Sequence, residues 1–439
     1  PRALGAGPRA PGFVSTIVAV RGRRVWDSRG DPTVEVELEL AGGVRARGIA
    51  PAGASTGRHE AVERRDGGTA FGGRDVTVAV GHVAERVAPA LVGRSAEDPD
   101  ALDRILEALD PTPGFAELGG NVLVASSFAL WKAAAADAGV PLWRRLTDET
   151  PTTMPRPEIQ LIGGGAHAAG RLDLQDLMLV PLGELLWSEG LDRIARVQRA
   201  LRAVLEREGS FGGYADEGGF WPHFARNEDA LAAMVRAVEN AGLVPGEDLA
   251  ISVDVAASQL FHGEAAHLAL EDRSLDADAW AAWLEGLVRR WPIRLLEDPL
   301  PEDALAGTAA LRARLHPCGI VGDDLVATDA GRIRIARDAC DAALIKPNQA
   351  GTVRRARDAL DAARACGMLP IVSARSGETE DAEIVDLAVG WHAPMLKVGA
   401  LARGERTAKW NRGLRIAEAL GDPPLAPAFG EGEGSRCPT

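Results

Sequence analysis

IVGDDLVATDAGRIRIARDACDAALIK, residues 320–346, contains two apolar runs that each stop at a charge. Ile320-Val321 gives way through Gly322 to Asp323-Asp324, and Leu344-Ile345 gives way to Lys346. Runs this short, apolar on consecutive residues, predict strands buried on both faces, with a helical stretch between them. The pattern recurs along the chain in Ile251-Ser252-Val253-Asp254, Leu295-Leu296-Glu297-Asp298, Ile371-Val372-Ser373-Ala374-Arg375 and Met395-Leu396-Lys397. The polar ends at 254, 297, 323, 346, 375 and 397 are 43, 26, 23, 29 and 22 residues apart. The shorter intervals suit one strand, one helix and two loops. Buried parallel strands in this rhythm predict an α/β fold, a β/α barrel with its chemistry at the C-terminal strand ends. A doubly wound open sheet is the alternative. It fits less well, because no Gly-rich dinucleotide loop follows a first strand and six successive strands end in a polar or charged group.

Ahead of the barrel the texture is different. Thr33-Val34-Glu35-Val36-Glu37-Leu38-Glu39-Leu40 alternates strictly and predicts a half-exposed antiparallel strand. A Gly42-Gly43 turn and a strand over 44–50 complete a hairpin or meander. Helices are expected near 75–92, 98–109 and 119–139, the last ended by Gly139-Val140-Pro141. The expected organisation is therefore a disordered N-terminus over 1–13, an α+β capping domain over 14–145, the barrel over 146–423 and a disordered tail over 424–439.

The chain of 439 residues carries a net charge of −14 and is 46% hydrophobic, enough for a large core. Its cations are scattered and its net charge repels a phosphate backbone, so nucleic acid is excluded as a partner. No run is long and apolar enough for a membrane span, and no signal-peptide core is visible near the N-terminus. Four cysteines without CxxC spacing fit reduced thiols and a cytoplasmic location.

Only four lysines stand against 45 arginines. Two of the four, Lys346 and Lys397, close barrel strands, where an amine can be tuned to trade protons and a guanidinium cannot. Asp254, Glu297 and Asp323 would converge on the same mouth. Three partly desolvated carboxylates need a cation, and a hard divalent ion with oxygen ligands, Mg2+ above all, answers that need. A metal beside a lysine suits proton abstraction α to a carboxylate. Pro51-Ala52-Gly53-Ala54-Ser55-Thr56-Gly57 has the small residues of a mobile lid. Gly163-Gly164-Gly165-Ala166-His167 presents an imidazole after the strand Glu158–Ile162, and Asp216-Glu217-Gly218-Gly219-Phe220 offers a general acid in a glycine-flanked turn.

These residues together resemble the enolase family, which dehydrates 2-phosphoglycerate to phosphoenolpyruvate. The resemblance runs from about Val14 to Leu420 and rests on DSRGDPTVEVE from Asp27, GASTG from Gly53, DEGGF from Asp216, EDP from Glu297, GDDL from Gly322, K-x-NQ-x-GT from Lys346, RSGETED from Arg375 and ARGERTAKWN up to Asn411. It implies an enolase-type β/α barrel with an N-terminal α+β capping domain, two Mg2+ ions per active site, the second arriving with substrate, and a homodimer or octamer. Matched residue by residue, Asp254, Glu297 and Asp323 resemble the ligands of the first Mg2+ and Ser55 a ligand of the second. Lys346 resembles the base that removes the C2 proton and Lys397 the partner of the substrate carboxylate. Glu217 resembles the acid assisting the leaving hydroxyl, with Asp176 and His167 beside it. Arg375 and Ser376 resemble the phosphoryl-binding pair, and Gln175 a pocket glutamine.

Four positions depart from the family pattern. S-H-R-S reads Ser373-Ala374-Arg375-Ser376, Q-E reads Gln175-Asp176, N-G-G reads Gly163-Gly164-Gly165, and K-T-G reads Lys397-Val398-Gly399. The metal and base half is intact, while the half around the leaving hydroxyl and phosphoryl group is altered. The first expectation is thus a specialised lyase for a small phosphorylated or phosphonylated three-carbon acid, similar to carboxyphosphonoenolpyruvate synthases of secondary metabolism. An ordinary enolase is the alternative, and a non-catalytic enolase-derived scaffold is the third reading.

Overall fold

The computed structural model describes residues 15–54 and 56–430. The expected disorder of 1–13, the far tail 431–439 and Ser55 lie outside them. By internal contacts the chain divides into two compact units. One comprises the chain up to Pro51, Ala61–Asp148 and Pro347–Arg354, and the other Ala52–Glu60, Glu149–Lys346 and the chain from Arg355. The sequence-based boundaries miss two excursions: the glycine-rich segment 52–60 packs with the barrel, and the residues just after Lys346 pack with the first unit.

The first unit holds a three-stranded antiparallel meander of β1 (Ile17–Trp26), β2 (Pro32–Leu40) and β3 (Arg45–Ile49). β2 is more buried than its alternation suggests, with Thr33 to Val36 all inside. Its apolar side is covered by the helix Gly120–Asp137, which is apolar around nearly its whole circumference and packs on both β2 and β3. Gly48 permits that approach, since a Cβ there would lie 2.4 Å from the Ala125 carbonyl oxygen. Glu35, on the other side, is covered by an ion pair with Arg23.

The second unit is a closed barrel of eight strands. In chain order these are β4 (Arg156–Gly163), β5 (Asp176–Pro181), β6 (Leu249–Asp254), β7 (Ile293–Glu297), β8 (Gly319–Gly322), β9 (Ala342–Ile345), β10 (Leu369–Ser373) and β11 (Met395–Lys397). Each pairs with the next, and β11 closes on β4. All pairings are parallel except those of β5, which runs antiparallel to both β4 and β6. Sequence reading overlooked β5 as a strand for a physical reason. In a parallel strand the polar residue follows the apolar run. In β5 the polar pair Gln175-Asp176 precedes Leu177-Met178-Leu179-Val180, because an antiparallel strand starts at the mouth.

The opposite end of the barrel is filled by Val180, Leu295, Val321, Ala342, Leu344, Ile371 and Met395, with Phe429 packed against them. That corrects the expected disorder of the tail over 424–430. Met154 donates its N–H to the Pro424 carbonyl, Leu425 to Leu185 and Ala426 to Met154, and the buried Arg156 guanidinium donates to the Ala426 carbonyl at 2.7 Å. No described helix is long and apolar enough to cross a membrane.

Candidate active site

The strand ends gather Asp254, Glu297, Asp323, Lys346, Arg375 and Lys397 at one mouth, as the run-then-charge pattern anticipates. The cavity there is lined by Gly53, Ala54, His167, Gln175, Glu217, Ser373, Ala374 and Ser376 together with five of those groups, all but Glu297. Of the residues singled out from sequence, only Glu297 and Asp176 are buried behind this lining and Ser55 is not described.

Asp254 and Glu297 are register partners on β6 and β7. The Lys397 ammonium sits between them, donating to Glu297 Oε2 at 2.6 Å and Asp254 Oδ2 at 3.3 Å. Lys346 donates to Asp323 Oδ2. Burial opposes the charge on each lysine, but the facing acids outweigh it. Asp323 holds the Lys346 amine above its ordinary value, and Glu297 and Asp254 hold Lys397 well above it. Burial, and then the charge of Asp254, push the Glu297 carboxyl well up. Asp323 stays low, because Lys346 overcomes its desolvation. One further acid shapes this wall. Asp298, at a left-handed φ of 39°, accepts the backbone N–H groups of Asp323 at 2.9 Å and Asp324 at 2.7 Å. Backbone strain of this kind persists where surrounding bonds fix it, and here it aims the Asp323 turn.

The three proposed Mg2+ ligands each face an ammonium group, and among the described residues the close groups of possible ligand atoms are others. These are Asp298-Asp323-Asp324 and His167-Asp176-Glu217, each with ligand atoms within 4.8 Å of one another. The donors nonetheless suit a hard cation: all are carboxylate oxygens, and Glu297 Oε1 is buried without a hydrogen-bond partner.

Across the mouth stands the second wall. Asp176 opens β5, fully buried, and the His167 Nδ1 lies 2.9 Å from its Oδ1. Burial alone would depress the imidazole, but Asp176, then Glu217 and Asp254, lift it to about 9, so His167 is a cation at neutral pH. Glu217 rides on the turn after Ala215, whose backbone closes through Gly218 at φ 90° and through the Gly219 carbonyl. Gln175 donates to Asp254 Oδ2 at 3.1 Å and accepts from Gln259 at 2.8 Å.

At the corner formed by the end of β10 and the 52–60 segment, Arg375 donates to Glu60 Oε2 at 2.7 Å, and Ser376 Oγ accepts from the Ala54 N–H at 2.7 Å. Ala52 and Gly377 exchange backbone bonds of 2.8 Å in both directions, so the 52–60 segment is laced to this corner. The fully buried Arg406 donates to the carbonyls of Arg375, Ser376 and Val398 and ties the ends of β10 and β11 together. Ala374 presents only a methyl between Ser373 and Arg375.

Sequence reasoning missed Glu60, Asp298 and Arg406, whose partners are distant in sequence, and Glu158 and Gln160 on β4. The last two carried a signal. They are polar residues two apart in a strand that is otherwise apolar from Ile159 to Ile162, which points both toward the barrel interior.

Two family models together cover residues 17–428 apart from 147–150. The enolase N-terminal domain matches residues 17–146 and the enolase C-terminal TIM barrel domain residues 151–428. A protein named Enolase 1 from Desulfitobacterium hafniense (strain Y51) is 41% identical over 420 residues, spanning 94% of this chain and 96% of that protein. With both domains matched and the barrel closing over a lysine-and-carboxylate mouth, this chain belongs to the enolase family.

Proposed function

We propose that this carbon–oxygen lyase of the enolase superfamily converts 2-phosphoglycerate to phosphoenolpyruvate. The observation that carries this reading is the opposition of the two walls. Asp176 opens β5 and Lys346 closes β9, and those strands are four apart whichever way one goes round the eight. A base and an acid facing each other across a substrate suit removal of a proton and a hydroxyl from opposite faces.

In this mechanism the Lys346 amine takes the C2 proton. The electron pair of that C–H bond moves into the carboxylate-stabilised carbanion and then forms the C2–C3 double bond as the C3–O bond breaks. Glu217 gives a proton to the departing hydroxyl, which leaves as water, and the His167-Asp176 pair holds the charge balance beside it. Lys397 faces the substrate carboxylate, and Arg375 and Ser376 hold the phosphoryl group. Asp254, Glu297 and Asp323 would hold the first Mg2+, which supplies positive charge against the negative charge collecting on that carboxylate. A cation held by Asp323 would offset the pull of that carboxylate on the Lys346 proton and so would favour the neutral amine that the base role needs. Ser55, in the glycine-rich segment, is assigned to a second ion that arrives with substrate.

A second reading keeps the same chemistry with a larger phosphorus substituent, as in a carboxyphosphonate. It is favoured by Ala374, whose small side chain lines the cavity beside Arg375. Steady-state kinetics on 2-phosphoglycerate decide between them. Turnover at the rate of a housekeeping enolase supports the first reading, and a value orders of magnitude lower, with Mg2+ saturating, overturns it in favour of the second.

A further inference from the structure

Gln160 is one of the most enclosed polar side chains of the barrel, 1% exposed, and no step above uses it. It lies on β4 where the pairing with β5 slips between Gln160 and Ile162. The slip interrupts the ladder just beyond this inward-facing side chain. Its amide makes two bonds. Nε2 donates to Asp176 Oδ1, and Oε1 accepts the Gly219 N–H at 2.8 Å. The orientation is forced, since a flipped amide would set its oxygen against a carboxylate and its NH2 against a backbone N–H. Gly219 is glycine for the same reason: a Cβ there would lie 2.4 Å from Gln160 Oε1.

One side chain thereby spans the strand that starts with Asp176 and the turn that carries Glu217. We propose that Gln160 is a positioning residue for the leaving-group half of the reaction, fixing the separation of these two carboxylates. The partners are tightly enclosed. Asp176 is 0% exposed, its Oδ1 already receives both Gln160 and His167, and its Oδ2 is buried without a partner. The reach of the acid at 176 is thus set jointly with the length of residue 160. A longer acid has no room unless the amide is shortened by the same methylene.

The inference rests on the dehydration mechanism above, and its test separates the two walls. In Gln160→Leu, with Mg2+ present, net formation of the enolpyruvate should fall about 100-fold, the scale of a misplaced catalytic group. Exchange of the C2 proton with deuterated solvent, which reads Lys346 on the other wall, should stay within a few-fold. Equal losses in both would mean a general structural role and overturn the proposal, as would an unchanged rate. A cycle adds a check that misfolding cannot imitate. Asp176→Glu and Gln160→Asn should each lose turnover, and the double variant should recover most of it; additive losses would overturn the joint setting of reach. Hydrogen exchange of the 216–219 turn needs no substrate. Its protection should drop in Gln160→Leu, and unchanged protection would refute the anchor even if wild-type protein failed to process 2-phosphoglycerate, a result that by itself sinks only the choice of substrate.

Discussion

On the wall made by β6 to β9, each of the three acids faces an ammonium: Lys397 bridges Asp254 and Glu297, and Lys346 holds Asp323. On the wall made by β4, β5 and the 216–219 turn, Asp176 takes both the imidazolium of His167 and the amide of Gln160 on one oxygen, its other oxygen has no partner, and Glu217 adds its charge beside His167. Both walls are buried to a similar degree, so burial does not distinguish them. Charge does. Removing either lysine of the first wall leaves buried carboxylates without their cation, which is costly enough to keep the set together. The second wall is governed by hydrogen-bond reach, and there a methylene gained in one side chain can be returned by another. The departures from the family pattern at Asp176 and Ala374 avoid the first wall, as this difference leads one to expect.

The strongest way to break the comparison is Lys346→Arg. The charge facing Asp323 survives, but a guanidinium cannot accept a proton. Turnover and C2-proton exchange should both fall by about 10²–10⁴-fold, while Mg2+ binding followed by calorimetry changes little. Exchange that survived in the variant would remove Lys346 from the base role and leave the wall as mere charge pairing.

Next in size are Asp254→Asn and Asp323→Asn. Each deletes a formal charge and a ligand oxygen from the proposed ion site. Mg2+ affinity should drop by more than roughly tenfold, the scale reached even by outer-shell partners. Equal Mg2+ affinity in both variants and wild type would assign the acids to the lysines alone. Asp298→Asn tests the same wall one layer out, because its carboxylate holds the Asp323 and Asp324 N–H groups.

The second wall has a pH signature. The folded-state pKa of His167 is raised to about 9, above the ordinary value of 6.5. A raised base contributes stability that is fully present below the unfolded value and is lost as pH rises through the folded one. Between about pH 6.5 and pH 9, wild-type protein should therefore lose more thermal stability than His167→Asn. The difference in midpoints, measured by calorimetry, should be a few degrees. Parallel pH profiles for the two proteins would show that His167 is not charged beside Asp176.

Much of the first wall was legible because parallel strands write their chemistry in a fixed order, apolar run and then charge. Asp254, Glu297, Asp323, Lys346 and Lys397 all follow that order. The second wall is written differently. β5 begins at the mouth, so Gln175 and Asp176 precede their apolar run, and their place was known only through resemblance to the family. Gln160 lies inside a strand, where only its spacing of two from Glu158 marks it as inward-facing and nothing in the sequence names its partners Asp176 and Gly219. Residues 424–430 misled for another reason. Their Pro- and Ala-rich composition reads as a loose tail, yet Phe429 and Ala428 find apolar surface at the barrel floor that only the closed sheet creates.

The smallest expected effect sharpens the comparison at the end of β10, the corner proposed to hold the phosphoryl group. Ala374 is 8% exposed and donates its backbone N–H to the Lys397 carbonyl at 2.9 Å, so its position is fixed and only its side chain can vary. Ala374→His would fill space beside Arg375 and add one donor to the phosphoryl group. A neutral hydrogen bond contributes about 0.5–1.5 kcal/mol, which corresponds to about two- to tenfold in kcat/KM if it forms in the transition state. The gain should appear for 2-phosphoglycerate and be reversed for a substrate with a larger group on phosphorus, through lost room. C2-proton exchange should not rise in step, because the added group is remote from Lys346. A loss of kcat/KM on both substrates would mean that the methyl is needed for packing, and the space beside Arg375 would then have no part in substrate choice.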